Sequence, residues 1–583
     1  MDKIIQEYLS ALKETKQISH SQDVRNDKES LFTRFSEQYK ELSALPRNVR
    51  RAIKKKCKYS LAGIAILIAL GGLPASAAVI NVTAGAVDNI ENQNCSIVEA
   101  ILAANRNQEV DSCGMGDDEG DGNTINSGDF IVLPDNSTFT FNSPYIPIGQ
   151  IEGNSALPDI TSEITIEGNG STIERDENST AEFRIIEIDN NNMGLILVEI
   201  NDTTFTNGNV TGNRSGGAIY NDDAGLTINN CTITNNTASR DGGGVDSDHS
   251  QGGFLNVFNS NISGNEAQVD GGGINISGGT ATINNSTISG NKTITFGGGG
   301  IFVEDGFNVR ISNSTISNNQ SLMDSNGGGI YNFSGSDPST IIISNSTISN
   351  NIATFSGGGI YNYTNGVNIA EIRLFHTTIT GNIASIEGGG ISNIGFGPFG
   401  NIDARIARLD INNSIISGNS TTNGAGDEIF NNDLNGSDIS SNTFNIFGHV
   451  GINNSQAFSG LPTNLSFIDA TSDGNNTPLQ CIRDSMDTCI IETDLINNGG
   501  PTRTHFLGSA SIARDAVTDS TECQFLDMDQ TGFMRDSFCD IGSVEFRVIP
   551  LPTGFEMCAM SELCGDGVDN DGNGFIDDEE TCI

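Results

Sequence analysis

An all-β fold, a right-handed parallel β-helix with an N-terminal helical cap, is predicted by three features of this sequence. The first is a repeated phrase between Asp202 and Asn419: an apolar pair, then Asn-Ser-Thr-Ile-Ser-x-Asn, a variable stretch, then Gly-Gly-Gly-Ile. Its anchors are Phe205, Ile233, Ile262, Ile288, Ile316, Ile348, Ile379 and Ile416, spaced 28, 29, 26, 28, 32, 31 and 37 residues apart. Self-similarity at this period means stacked units that bury their apolar faces only against one another. The second feature is the pair of columns beside the anchors. Three residues before them stand Asn230, Asn259, Asn285, Asn313, Asn345, His376 and Asn413; three after stand Asn236, Asn265, Asn291, Asn319, Asn351, Asn382 and Asn419. The third is apolar alternation, as in Thr282-Ile283-Asn284, in short runs separated by Gly and Asn. Period-2 runs joined by tight corners are strands.

The columns have a physical reason within such a coil. Asn tolerates the left-handed conformation at a corner and can bond its twin in the next turn, ~4.8 Å away. The glycines Gly242 to Gly244, Gly271 to Gly273, Gly297 to Gly300, Gly327 to Gly329, Gly357 to Gly359 and Gly388 to Gly390 supply a second corner. Collagen is excluded because Gly does not recur at every third residue, and a calcium-binding nonapeptide roll because its repeat is absent.

Composition narrows the function. The 583 residues carry 29 Lys and Arg against 73 Asp and Glu, a net charge of −44, with no Trp and 69 Gly. Residues 78–583 hold 15 basic and 65 acidic side chains, with Lys292 as their one lysine. Such a surface repels nucleic acid and anionic lipid and attracts cations. Of the 11 cysteines, Cys57 lies early; Cys95/Cys113, Cys481/Cys489 and Cys523/Cys539 form close pairs outside the repeats, while Cys231, Cys558, Cys564 and Cys582 are unassigned. This placement fits an oxidising compartment.

Residues 1–77 read as a polar, helix-forming preface and a signal peptide. A basic run (Arg50, Arg51, Lys54, Lys55, Lys56, Lys58) precedes the apolar Leu61 to Leu73 and the small residues Ala75-Ser76-Ala77. Cleavage is expected after about Ala77, which leaves a mature chain that does not span a membrane and is secreted or held at the bacterial cell surface. A misplaced start and a retained cytoplasmic anchor are the alternatives.

Residues 78–127 change character. In Asn94-Cys95-Ser96-Ile97-Val98-Glu99-Ala100-Ile101, Ser96 and Glu99 make a capping box, and Ile97, Ile101 and Ala104 share one helical face. With Cys113 and the following Asp129-Phe130-Ile131-Val132-Leu133-Pro134, this stretch resembles the CSLREA domain of secreted bacterial β-helices, departing from it at the Leu and Arg positions. The resemblance implies a cap, which an open coil end requires in any case. Residues 128–460 are the β-helix itself, and its Gly-Gly-Gly-Ile and Asn-Ser-Thr-Ile elements resemble those of polymorphic outer-membrane proteins and related adhesins. Within residues 461–546, Asn498-Gly499-Gly500-Pro501-Thr502-Arg503-Thr504-His505, Cys523, Asp529-Gln530 and Cys539-Asp540-Ile541-Gly542-Ser543-Val544-Glu545-Phe546 resemble the choice-of-anchor Q domain, a family that implies surface attachment and no activity.

Residues 547–583 comprise a linker and a tail that carries the sharpest chemical signal. Asp569, Asp571 and Asn573 stand at positions 1, 3 and 5 of an EF-hand-type loop, Gly574 takes the turn, Phe575 offers its carbonyl, and Asp577 and Glu580 complete an oxygen cage for Ca²⁺. The stretch is similar to the Asp-rich calcium repeats of thrombospondin type-3 and of bacterial tails. A solitary loop of this kind binds weakly, at ~10⁻⁴–10⁻³ M.

Other candidates have plainer readings. Sequons such as Asn313-Ser314-Thr315 follow the fold's own period. His376 fits a corner; His249, His449 and His505 show no metal or triad spacing. Tyr220, Tyr331 and Tyr361 follow the glycine corners and stack within the coil, or else form a sugar-binding stripe. Acidic residues for catalysis are numerous (Arg240-Asp241, Asp246-x-Asp248-His249, Asp270, Glu304-Asp305) without a recognised motif. The reading is therefore an exported, adhesive or structural surface protein with no assigned catalytic residue, whose partners are polysaccharide or cell-surface glycan and divalent cations. The alternative is a polysaccharide lyase or glycoside hydrolase acting in a groove of the coil.

Overall fold

The computed structural model describes residues 79–546 with breaks, the longest at 115–127, 397–405 and across most of 449–490. The residues read as a signal peptide, Cys489 and the residues read as a calcium loop lie outside the described residues. The chain is a parallel β-solenoid of about nine turns, almost all sheet, and divides into two compact units at Ala281/Thr282.

In the first unit the cap forms as its sequence dictates. Helix α1 (Ile97–Arg106) starts with Ser96 Oγ accepting from Glu99 N at 3.1 Å, while Ser96 N donates to the Glu99 carboxylate at 3.0 Å. Asn107 ends it in the left-handed region, φ 53°, and the Cys95–Cys113 disulfide ties its start to the following loop. Ile97, Ile101 and Ala104 are buried. Asn105 Nδ2 donates to Asp159 O at 2.7 Å and so fastens the helix to the solenoid.

The rungs then stack in register. Ile131, Ile166, Ile200, Ile228 and Val257 align through successive parallel pairings and are all fully buried. A second file runs Phe139, Ile173, Phe205, Ile233, Ile262. Two further faces complete each turn: one of two-residue strands such as Thr237–Ala238, and one of four-residue strands such as Ile219–Asp222 and Val245–Asp248. Cys231 is a buried free thiol.

The second unit repeats the plan. Ile288, Ile316 and Ile348 align, Ile348 aligns with Ile379, and Ile379 with Ile416; all are fully buried. Each removes a branched aliphatic side chain from water, worth about 1.5–3 kcal/mol.

The two Asn columns do different work. The first supplies corners: Asn230, Asn259, Asn285, Asn313, Asn345, His376 and Asn413 all have φ between 44° and 55°. The second is a buried ladder. Asn291 Nδ2 donates to Asn319 Oδ1 at 3.0 Å, Asn319 to Asn351 at 2.9 Å, Asn351 to Asn382 at 2.9 Å and Asn382 to Asn419 at 2.8 Å. Within the first unit Asn236 gives the same bond to Asn265 at 3.0 Å. An additional ladder, not read from the sequence, runs inside the four-residue face: Asn332 to Asn362, Asn362 to Asn393 and Asn393 to Asn431, each at 2.7 Å. The glycine corners carry positive φ, +70° at Gly357. Gly328 admits no side chain, because a Cβ there would stand 2.5 Å from the Gly358 carbonyl oxygen.

The C-terminal segment, described in stretches from Ile491 to Phe546, lies along the outer surface of this unit's rungs. Asp529 accepts from Thr531 N at 2.9 Å and from Glu545 N at 2.9 Å. Buried Arg535 pairs with Glu545 and donates to Gly542 O at 2.9 Å. The disulfide Cys523–Cys539 closes the segment on itself.

Candidate functional site

Alternation along the four-residue face points every second side chain outward, and in the first unit five of eight such positions are acidic. Glu187, Tyr220, Asp246 and Asn275 form one outward column, and Asp189, Asp222, Asp248 and Ser277 the next. Neighbours within a column sit one rung, ~4.8 Å, apart. Burial, then the neighbouring charges Asp189, Asp223, Asp248 and Glu187, push the Asp222 carboxyl up to about 6. Asp246 rises to about 7, mainly through burial, with its Oδ1 accepting from Asn275 Nδ2 at 2.6 Å. Asp159, beside this array, rises to about 6, again mainly through burial. Arg184 pairs with Glu187 and lies over the Tyr220 ring, 4.9 Å from its centroid. Burial foremost raises the Tyr220 hydroxyl far above the usual tyrosine range.

Other residues with catalytic potential are structural. Ser247 Oγ lies 2.7 Å from His249 Nε2, a serine–histidine contact that their spacing in the sequence does not advertise. Ser247 points into the core, is fully buried and accepts from Asn221 Nδ2 at 2.8 Å, so no substrate reaches it. His249 is driven toward its neutral form by burial. Asp241 pairs with Arg240 at 3.1 Å, and Asp305 turns a corner while accepting from Gly335 N at 2.7 Å. His376 is the corner residue its column implies, its Nε2 3.0 Å from Asn413 Nδ2. Among the described residues no group of three or more His, Cys, Asp or Glu is disposed to hold a metal ion. Asp569, Asp571, Asn573, Phe575, Asp577 and Glu580 lie outside them.

In the second unit most of the same outward positions are aromatic, Glu304, Ser392 and Ile394 being exceptions. Phe302, Tyr331 and Tyr361 align on successive rungs, and Phe333 aligns with Tyr363. Tyr331 and Tyr361 meet edge-to-face at 4.8 Å, while Phe333 and Tyr363 stack at 5.7 Å. The inner rings are buried by this packing, whereas Phe296 and Phe396 at its margins are 48% and 47% exposed. Tyr331 and Tyr361 therefore stack on the coil, and Tyr220 belongs instead to the acidic array. Phe302 follows Gly298-Gly299-Gly300-Ile301 as Tyr331 and Tyr361 follow their own glycines, and was missed because only the tyrosines were read as a stripe; Phe333 stands two residues beyond Tyr331. Glu187 and Asp189 were missed because their rung precedes the regular repeat, and Asp222 because it lies in a variable stretch between the anchors Phe205 and Ile233.

Residues 313–332 match the family model of the Chlamydia polymorphic membrane protein repeat. The matched stretch holds the corner Asn313, the anchor Ile316, the ladder residue Asn319, the glycine corner Gly327 and Asn332 of the second ladder. No curated protein and no solved structure matches the chain. The repeat and the β-helix together point to a surface-exposed or secreted β-helical protein. Among the described residues no helix is long and apolar enough to cross a membrane.

Proposed function

We propose that this chain is an exported adhesive protein that engages cell-surface glycan or polysaccharide through the aromatic face of its second unit. One observation carries this reading: outward positions of a sheet, ordinarily polar, hold a continuous aromatic file from Phe302 through Tyr331 to Tyr361, flanked by Phe333 and Tyr363, with exposed rings at its edges. Aromatic rings provide large, rigid contact area, and the exposed Phe296 and Phe396 with the half-buried Phe333 and Tyr363 give the buried file a solvent-facing edge on which a sugar ring can stack. The division into leader (1–77), cap (78–127), β-helix (128–460), anchor-type region (461–546) and tail (547–583) belongs to the same proposal. So does a Ca²⁺ loop formed by Asp569, Asp571, Asn573, Phe575, Asp577 and Glu580. The test is retention of the purified chain on immobilised neutral and acidic polysaccharides. The pair Phe296→Ala with Tyr363→Ala lowers affinity by about tenfold or more, equivalent to about 1.4 kcal/mol. Unchanged retention removes the reading.

A second reading, a glycan-cleaving enzyme, is favoured by the carboxylate columns. Asp222 holds its proton into weakly acidic conditions beside Asp189 and Asp248, one rung away on either side. Glycoside hydrolysis requires such an acid and a second, ionised carboxylate; the ~4.8 Å rung spacing approaches the ~5–5.5 Å of retaining pairs. New reducing ends on incubation with polysaccharide, abolished by Asp222→Asn, would establish it.

A further inference from the structure

The C-terminal segment and the rungs it covers carry matching chemistry in the same order. In the second unit the outward positions of the anchor strands form one file: Thr287, Thr315, Thr347, Thr378, Ile415, Ile446. Four hydroxyls are followed by two isoleucines. Against the hydroxyls, Gln530 Nε2 donates to Ser314 O and to Thr315 Oγ1, both at 3.0 Å, and its Oε1 accepts from Thr347 Oγ1 at 2.7 Å. Ser543 N donates to Thr378 Oγ1 at 3.1 Å. Against the isoleucines the segment turns apolar. Gly542 lies so close that a Cβ would stand 2.8 Å from Ile415 Cδ1. Ile415 and Ile446 share one core with Val517, Ile541 and the Cys523–Cys539 pair.

The polar half of this recognition does not specify a position. Residues 285–289, 313–317 and 345–349 all read Asn-Ser-Thr-Ile-Ser. A segment docked one rung toward the N-terminus would meet Thr287 for Thr315, Thr315 for Thr347 and Thr347 for Thr378. Arg535 Nη2, which donates to Asn345 Oδ1 at 3.0 Å, would meet Asn313. Only the apolar half objects: the slipped segment would press its isoleucine core onto the Thr378 hydroxyl and leave Ile446 uncovered. A buried hydroxyl without a partner and an uncovered isoleucine both oppose that position.

We propose that the hydroxyl file is a docking surface with more than one polar-equivalent register, and that the Thr378/Ile415 boundary selects the occupied one, with Ile415 as the specificity-determining residue. Sliding by one rung, ~4.8 Å, is the motion the boundary forbids.

Engineered cysteine pairs read the register in the full chain. Thr378→Cys with Ser543→Cys reports the observed position, in which the two hydroxyls stand 3.1 Å apart, and Thr315→Cys with Ser543→Cys the slipped one; Thr347 faces Ser543 in both. Only the first pair forms in the otherwise unaltered protein. Thr378→Ile moves the boundary by one rung, and in that variant the slipped crosslink rises over its level in the otherwise unaltered protein by about tenfold or more, the factor that corresponds to about 1.4 kcal/mol. Ile415→Thr, which adds no bulk, blurs the boundary so that both pairs form. If neither variant raises the slipped pair while the solenoid stays folded, the proposal is wrong.

Discussion

Asn419 Nδ2 donates to Glu428 Oε2 at 2.6 Å, and this bond ends the buried asparagine ladder. The same carboxyl accepts from Gly418 N at 2.7 Å and from Asn419 N at 3.2 Å. A ladder of identical amides always leaves one donor over at its last member, and Glu428 takes it. Glu428→Ala strands three donors in a fully buried site, where each costs about 1–3 kcal/mol. Chemical denaturation should show Glu428→Ala far less stable than Glu428→Gln, which keeps an acceptor oxygen.

The interior of the ladder gives a parallel expectation. Asn351→Ala removes one rung and leaves Asn319 Nδ2 and Asn382 Oδ1 facing a void, at a cost of roughly 2–4 kcal/mol. Ile316→Ala on the neighbouring anchor costs about 2–5 kcal/mol by cavity formation. The two residues stand on adjacent rungs, so a double-mutant cycle is expected to depart from additivity.

Corner and ladder asparagines respond differently to glycine. Asn313 has φ 50° and serves as a corner. Asn313→Gly is close to neutral there, whereas Asn313→Ala costs about 1–2 kcal/mol for the left-handed backbone. At Asn351, by contrast, Gly is as damaging as Ala. Equal effects at both columns in a denaturant series would contradict this division.

Stability should fall as pH rises from 5 to 8. Burial raises Glu428 to about 8, Asp246 and Glu545 to about 7, and Asp159, Asp222 and Asp540 to about 6. Unfolded carboxyls release their protons near pH ~4, so across this window the folded state holds more protons than the unfolded one. The penalty is absent below about pH 4, grows through the window and is complete above the highest folded value. Tm should be higher at pH 5 than at pH 8, and Glu428→Gln should flatten the upper part of that slope. A Tm that rises toward pH 8 would oppose this assignment.

Much of the fold was legible because repetition makes burial visible: each anchor recurs beside its Asn and Gly corners, and every anchor is indeed a core residue. The inner ladder of Asn332, Asn362, Asn393 and Asn431 was readable in principle, as an Asn two residues after the Ile that follows each glycine corner. Pattern alone does not reveal its inward side, because a polar residue in a strand ordinarily faces water. The carboxylate columns were not legible. Asp246 and Asp248 were read as candidates, but Glu187, Asp189 and Asp222 are far from them in sequence and join them only through register. The C-terminal segment's motifs were visible, but not the Thr and Ile file they cover.

Calorimetry tests the tail independently of the solenoid. Asp569→Ala should abolish a Ca²⁺ binding heat seen with the parent chain at ~10⁻⁴–10⁻³ M ligand. Equal heats would remove the loop from the account.

The most direct measurement is a polysaccharide pull-down run in parallel on two variants, Phe296→Ala with Tyr363→Ala, and Asp222→Asn. An adhesive aromatic face requires the first to lose binding and the second to retain it, with polymer length unchanged throughout. Shortened polymer with the parent chain and intact polymer with Asp222→Asn would contradict it and move the function to the acidic columns.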